Sequence, residues 1–244
     1  MTKIFEALEK AQQDLKNVTP HCILPAAVEY DASEPKLVME AEMLGLYGVI
    51  DSLLPNTPKK IIQFIGSRKG EGTSTIVREF AMLAAMRVDK PVLLVDADRT
   101  QPSHHLYFRM PQQHGWVETV QNGQRVEQSF RQVGNSRLFL SPCSNSAVST
   151  PEIFDSHSIH DFWEEIKQRF AFVLVDSPPL SSSPDGLAIA PRVSGVVLVA
   201  EAEKTRWKIA ENVKERILRV GGNLLGVVLN KRRYYIPDVV YRKL

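Results

Sequence analysis

Residues 61–75 read Ile61-Ile62-Gln63-Phe64-Ile65-Gly66-Ser67-Arg68-Lys69-Gly70-Glu71-Gly72-Thr73-Ser74-Thr75. An apolar run, a glycine-rich turn and a helix-forming stretch follow one another. This is the layout of a phosphate-binding loop, whose usual form is G-x-x-x-x-G-K-[ST] between a strand and a helix. Gly72 and Ser74 stand in their expected places, Ser67 stands at the first glycine position and Thr73 at the lysine position. Backbone N–H groups in such a loop, together with the N-terminus of the helix beginning near Thr73, form a polyphosphate site. The candidate nucleotide-binding residues are therefore Ser67, Arg68, Lys69, Gly70, Glu71, Gly72, Thr73, Ser74 and Thr75, with Ser74 placed where a hydroxyl ligates Mg²⁺. A serine and glycine turn can also be only a turn, so the loop gains weight from what surrounds it.

Two further strand ends carry carboxylates. Val92-Leu93-Leu94-Val95-Asp96-Ala97-Asp98 ends a strand on two aspartates separated by one residue. Carboxylates at such an exit can hold Mg²⁺ or its waters, accept a hydroxyl proton, or simply cap a turn. Phe172-Val173-Leu174-Val175-Asp176-Ser177-Pro178-Pro179 has the form of a Walker B strand, whose aspartate supports Mg²⁺. Asp96, Asp98 and Asp176 are thus the candidate catalytic or Mg²⁺-supporting carboxylates, beside the Ser74 hydroxyl.

Outward from these segments, apolar runs at 61–65, 91–96, 137–141, 171–176, 195–200 and 224–229 predict strands. Nearly all are apolar on both faces, as buried parallel strands are. Helices are predicted at 73–88, 125–132, 158–169, 184–191 and 205–220. This alternation predicts a doubly wound, mostly parallel α/β sheet with helices on both faces, of the P-loop NTPase type, with ligands at the carboxyl ends of the strands. Before it, Ile4, Phe5, Leu8, Ala11 and Leu15 fall on one helical face, and Pro20, Pro25 and Pro35 mark a linker. A second amphipathic helix is expected over about 37–54, stopped by Pro55 and Pro58. The expected organisation is an N-terminal helical extension and linker, 1–58, followed by the nucleotide-binding domain, 59–244.

A net charge of +2 on 244 residues does not advertise nucleic-acid binding. Lys231, Arg232, Arg233, Arg242 and Lys243 gather at the C-terminus, as a solvated tail or an interaction segment. Cys22 and Cys143 have neither ligand spacing nor a disulfide pattern, so packing in a reduced, cytoplasmic compartment is the expectation. No run approaches the ~18 apolar residues of a membrane span. Glu6, Glu9 and Lys10 interrupt any signal-peptide core.

The order of these pieces resembles the bacterial tyrosine kinases (BY-kinases) of capsule and exopolysaccharide synthesis in their detached cytoplasmic form, a branch of the MinD/ParA-type ATPases. The resemblance spans roughly residues 40–244. It rests on Gly70-Glu71-Gly72 with Ser74-Thr75, Asp96-Ala97-Asp98 with Pro102, and Asp176-Ser177-Pro178-Pro179 with Asp185. Val197-Leu198-Val199 with Lys204-Thr205, and Leu225-Gly226-Val227-Val228-Leu229-Asn230-Lys231, complete it. It implies that Gly70 to Thr75 wrap the phosphates of ATP, that Ser74, Asp98 and Asp176 support Mg²⁺, and that Asp96 and Asp98 activate the acceptor hydroxyl. Asn230 would contact the adenine. The implied acceptors are tail tyrosines, here Tyr234, Tyr235 and Tyr241, phosphorylated in trans within a homo-oligomer or dimer. The implied partner is a transmembrane polysaccharide co-polymerase that recruits the protein to the inner face of the plasma membrane.

Three features depart from that pattern. Thr73 replaces the phosphate-binding lysine, and a unit charge near 4 Å is worth roughly 4 kcal/mol at an effective dielectric near 20. Arg68 and Lys69 are the nearest cations in sequence. The family's Glu-x-x-Arg-x-x-Arg oligomer helix reads Glu42-Met43-Leu44-Gly45-Leu46-Tyr47-Gly48, without either arginine. Thr100 stands where an arginine is expected, beside Arg99. Alongside the kinase stand two other readings, a non-catalytic nucleotide-gated scaffold of the same export system and a MinD/ParA-like positioning ATPase.

Overall fold

The structure is a computed structural model that describes residues 37–112, 114–143, 153 and 157–233. The expected helix over residues 3–16 and the tyrosines Tyr234, Tyr235 and Tyr241 lie outside the described residues. Helix α1 (Glu40–Leu53) leads into strand β1 (Lys60–Gly66), then α2 (Thr73–Arg87) and β2 (Val92–Asp96). Two short helices, α3 (His104–Tyr107) and α4 (Trp116–Asn122), precede β3 (Arg131–Gln132) and β4 (Leu138–Ser141). The chain continues through α5 (His157–Arg169), β5 (Phe172–Asp176), α6 (Asp185–Ile189), β6 (Gly195–Glu201), α7 (Trp207–Arg219) and β7 (Leu224–Asn230).

The seven strands form one sheet in the order β3-β4-β2-β5-β1-β6-β7, parallel throughout except for the antiparallel β3–β4 pair. Every residue of β1, β2, β4, β5 and β6 is buried, which explains why their sequences are apolar without alternation. One face packs against α1 and α2 through Ile62, Phe64, Phe80, Leu83 and Leu94. The other is covered by α4 and α5 through Trp116, Phe162, Trp163 and Ile166. Toward β6, α7 closes the sheet with Ala210, Val213 and Ile217 against Val196 and Leu198. Met43 and Ile50 place α1 in the same apolar cluster as α2, and the buried Glu79 carboxylate of α2 accepts the N–H groups of Val38 and Met39.

Two expectations are corrected. Residues 125–132 do not form a helix. Val126–Gln128 makes one 3₁₀ turn, and Arg131 and Gln132 pair with Leu140 and Phe139 as β3. Val126 and Phe130, four apart, imitate a helical stripe, but both are buried from a turn and strand entry against the α4–α5 side of the sheet. Strand β7 is likewise not buried on both faces. It is the sheet edge, and Val227 and Leu229 are 46% and 64% exposed.

Candidate phosphate and carboxylate site

Strands β1, β2 and β5 lie side by side and end together, so their C-terminal loops converge. Register pairs Phe64 of β1 and Asp96 of β2 with Asp176 of β5. Beyond β1 the loop turns through Gly70 and Gly72, both at φ near +90° (90° and 89°), a region that side chains strain to enter. A Cβ on Gly72 would also stand 2.2 Å from Asn230 Nδ2, so glycine is required there twice over.

The Glu71 side chain, fully buried, folds back under its own loop. Its Oε2 accepts the N–H groups of Ser67 (2.6 Å) and Arg68 (3.1 Å), and its Oε1 accepts the hydroxyls of Ser67 and Thr205 at 2.6 Å each. This carboxylate staples the loop to the segment after β6. Farther along, the N–H groups of Gly70, Glu71, Gly72, Thr73 and Ser74 have no hydrogen-bond partner among the described residues. Five successive donors at the head of the 15-residue helix α2 make a concave positive surface suited to an anion. Of the predicted nucleotide-binding residues, Gly70 to Ser74 thus offer donors, whereas the N–H of Ser67, Arg68 and Thr75 is engaged within the protein. Arg68 lies 3.9 Å from Glu71 and 4.0 Å from Glu201, and Lys69 is exposed. Asn230 reaches the loop from β7, donating Nδ2 to Glu71 O at 2.9 Å, while its Oδ1 accepts the Lys231 N–H.

The carboxylates at the ends of β2 and β5 hold a histidine between them. His104 Nε2 lies 2.8 Å from Asp176 Oδ2, and neither side chain is exposed beyond 1%. Asp96 Oδ2 accepts the N–H groups of Ser103 and His104, its Oδ1 that of Asp98, and its carbonyl the Trp116 indole N–H. Burial lifts the Asp96 carboxyl to about 6, with the Asp176 charge adding to it and His104 opposing. Burial disfavours the His104 imidazolium, but its bond to Asp176 and the charges of Asp96 and Asp176 outweigh that and hold its pKa above the usual histidine value. Sequence reading missed His104. It lies eight residues beyond Asp96 with no motif spacing to mark it, and only the short helix α3 carries it between the strands.

One atom of each of Asp96, His104 and Asp176 falls within 4.8 Å of the others, a set able to hold a metal ion. Asp176 Oδ1 and His104 Nδ1 are buried without a hydrogen-bond partner. A free, buried carboxylate oxygen at the end of β5, the neighbour of the strand that leads into the glycine loop, suits Mg²⁺, which takes one or two carboxylates and keeps several waters. Asp98 stands apart from this set. Its Oδ1 accepts the Thr100 N–H and hydroxyl and the Gln101 N–H, which fixes the loop after β2, and its Oδ2 has no partner among the described residues.

Two polar ties lock the loops together. Arg99 grips Asp185 Oδ2 through Nε (2.9 Å) and a terminal nitrogen (2.6 Å), joining the loop after β2 to the start of α6. Gln63, the polar interruption of β1, donates to Ser177 Oγ and Gly186 O, fixing the turn after β5.

The chain is 23% identical over 201 residues to tyrosine-protein kinase YwqD of Bacillus subtilis (strain 168), covering 82% of this chain and 84% of the relative. It is 26% identical to the succinoglycan biosynthesis transport protein ExoP of Rhizobium meliloti (strain 1021) over 74% of this chain, but matches only 23% of that longer protein. Among solved structures, the chimerical protein CapA2B2 superposes with a TM-score of 0.74 at 23% identity, covering 93% of this chain and 99% of the other, which fixes the fold. The sequence profile of the family described as "Cellulose biosynthesis protein BcsQ" matches residues 59–212, from the start of β1 into α7. With that match over most of its length, on a P-loop sheet whose strand ends carry this site, the chain belongs to the cellulose biosynthesis protein BcsQ family.

Proposed function

We propose that this chain binds Mg·ATP at the Gly70–Ser74 loop and transfers the γ-phosphate to tyrosines of its own C-terminal segment, Tyr234, Tyr235 and Tyr241, to regulate polysaccharide polymerisation and export. The observation that carries this reading is the run of five unpartnered N–H groups at the head of α2, beside the register-paired Asp96 and Asp176. The named relatives are a tyrosine-protein kinase and a succinoglycan biosynthesis transport protein, which supports both the chemistry and the setting. Ser74 and Asp176 Oδ1 would hold Mg²⁺, which supplies neutralisation of charge on the phosphate oxygens. Asp98, through its free Oδ2, accepts the tyrosyl proton as the phenolic oxygen attacks phosphorus and ADP departs. Asn230 and the loop after β7 border the nucleoside. A transmembrane co-polymerase is the proposed partner, holding the protein at the cytoplasmic face of the membrane as one member of an oligomer.

Thr73 favours a second reading, a nucleotide-gated scaffold that binds without transferring phosphate. Incubation of the full chain with Mg·ATP, with and without its membrane partner, followed by mass-spectrometric mapping of phosphotyrosine, separates the two. Tail phosphate that vanishes in Asp98→Asn supports the kinase. Bound nucleotide with no phosphotyrosine in either condition supports the scaffold, and no nucleotide binding at all overturns both.

A further inference from the structure

Position 73 lacks an ammonium, and the fold brings one to the loop from far along the chain. Lys231 follows directly on β7. Its Nζ donates to Gly70 O and lies 3.7 Å from Glu201 Oε1. Its Cε is 3.9 Å from the point where a Cβ on Gly72 would stand. The preceding residue, Asn230, ties the end of β7 to the loop through Glu71 O, so the ammonium hangs from a strand anchored at the phosphate site itself. The side chain is 48% exposed, so it is free to pivot. The Lys231 backbone sits at φ +58°, a left-handed conformation that glycine or asparagine adopts at less cost, yet a lysine stands there.

The other nearby cations do not donate to a loop carbonyl among the described residues. Arg68 is held at 3.9 and 4.0 Å from the carboxylates of Glu71 and Glu201. Lys204 is bonded to Glu201 Oε1 at 2.6 Å. Lys69, next to Gly70 in sequence, is exposed and its side chain makes no hydrogen bond or ion pair among the described residues.

We propose that Lys231 supplies the cation that Thr73 does not, its ammonium exchanging Gly70 O for the terminal phosphates of a bound nucleoside triphosphate. Gly70 O is a neutral acceptor, and the Glu201 carboxylate at 3.7 Å is shared with Lys204 at 2.6 Å and Arg68 at 4.0 Å, so a polyphosphate oxygen beside the loop offers the ammonium a stronger charged partner than it now has. The inference rests on the reading above that this loop binds ATP. It adds which side chain reads the phosphate chain, and from which strand.

The test is calorimetry of the full chain with Mg·ATP and with AMP at fixed ionic strength. Lys231→Met should weaken Mg·ATP by about 10- to 100-fold, the size of one charge-assisted hydrogen bond, and leave AMP nearly unchanged. Lys231→Arg keeps the charge and should stay close to wild type, which separates loss of charge from loss of fold. Adding Thr73→Lys to Lys231→Met should restore Mg·ATP binding, and Lys69→Ala should have little effect. Equal Mg·ATP affinity in wild type and Lys231→Met overturns the inference, as does an equal loss for ATP and AMP, which would mark Lys231 as support for Asn230. A wild-type chain that binds neither nucleotide overturns the proposed function itself and is distinguishable from both.

Discussion

Replacing His104 by leucine removes a cationic group that the fold places between two buried carboxylates. In wild type, Asp176 Oδ2 shares a bond with His104 Nε2, and Asp96 lies directly across the β2–β5 ladder from Asp176. His104→Leu fills the space and leaves both carboxylates facing each other with no counter-charge. Breaking a buried ion pair from one side costs about 3–5 kcal/mol, a large share of the ~5–15 kcal/mol that holds a typical domain together. The loss should depend on pH. With His104 gone, its lowering effect on the Asp96 carboxyl is lost, so that group titrates above its wild-type value of about 6; protonation then relieves the repulsion, and the deficit is greatest in alkaline buffer and shrinks as pH falls. Urea unfolding followed by tryptophan fluorescence measures this directly, because Trp116 donates its indole N–H to Asp96 O and reports on this loop. Added Mg²⁺ should stabilise His104→Leu more than wild type, since the variant presents two carboxylates without their internal cation. A deficit under about 1 kcal/mol at neutral pH, or one that does not shrink with acid, refutes the reasoning.

Other consequences are equally direct. In the nucleotide-free wild type, the raised Asp96 pKa means that stability falls as pH rises from its unfolded value of 3.8 through about 6. The raised His104 pKa gives stability that is complete below 6.5 and is lost as pH climbs through its folded value, so the urea midpoint should decline steadily from weakly acid to alkaline buffer. Glu71→Ala strands the N–H groups of Ser67 and Arg68 and should cost about 2–4 kcal/mol, with those two amides losing hydrogen-exchange protection first. Arg99→Met leaves Asp185 unpaired in a site where both side chains are under 10% exposed (7% and 8%), and should cost about 3–5 kcal/mol by thermal unfolding. Pairing it with Asp185→Leu should recover most of that loss, because two apolar groups need no partner. A double variant no more stable than Arg99→Met would show that the pair is not acting alone.

The sequence by itself determined the central strands of the sheet. The runs at 61–65, 91–96, 171–176 and 195–200 are apolar on both faces because parallel central strands are buried on both, and that signal is local. It also marked the glycine-rich turn after β1, where Gly70 and Gly72 take up left-handed backbone. Failures came where local pattern and tertiary setting disagree. The helix expected over residues 125–132 is a 3₁₀ turn and a short strand, and β7 is as apolar as the central strands although the strand order leaves it at an edge. What only the tertiary structure decided is which side chains meet. Glu71 with Thr205, His104 with Asp176, and Lys231 with Gly70 are separated by 134, 72 and 161 positions. No spacing rule links such residues, because their encounter follows from strand order and register. Charge at a site is a sum over space, so a lysine missing at position 73 of the sequence need not be missing from the loop.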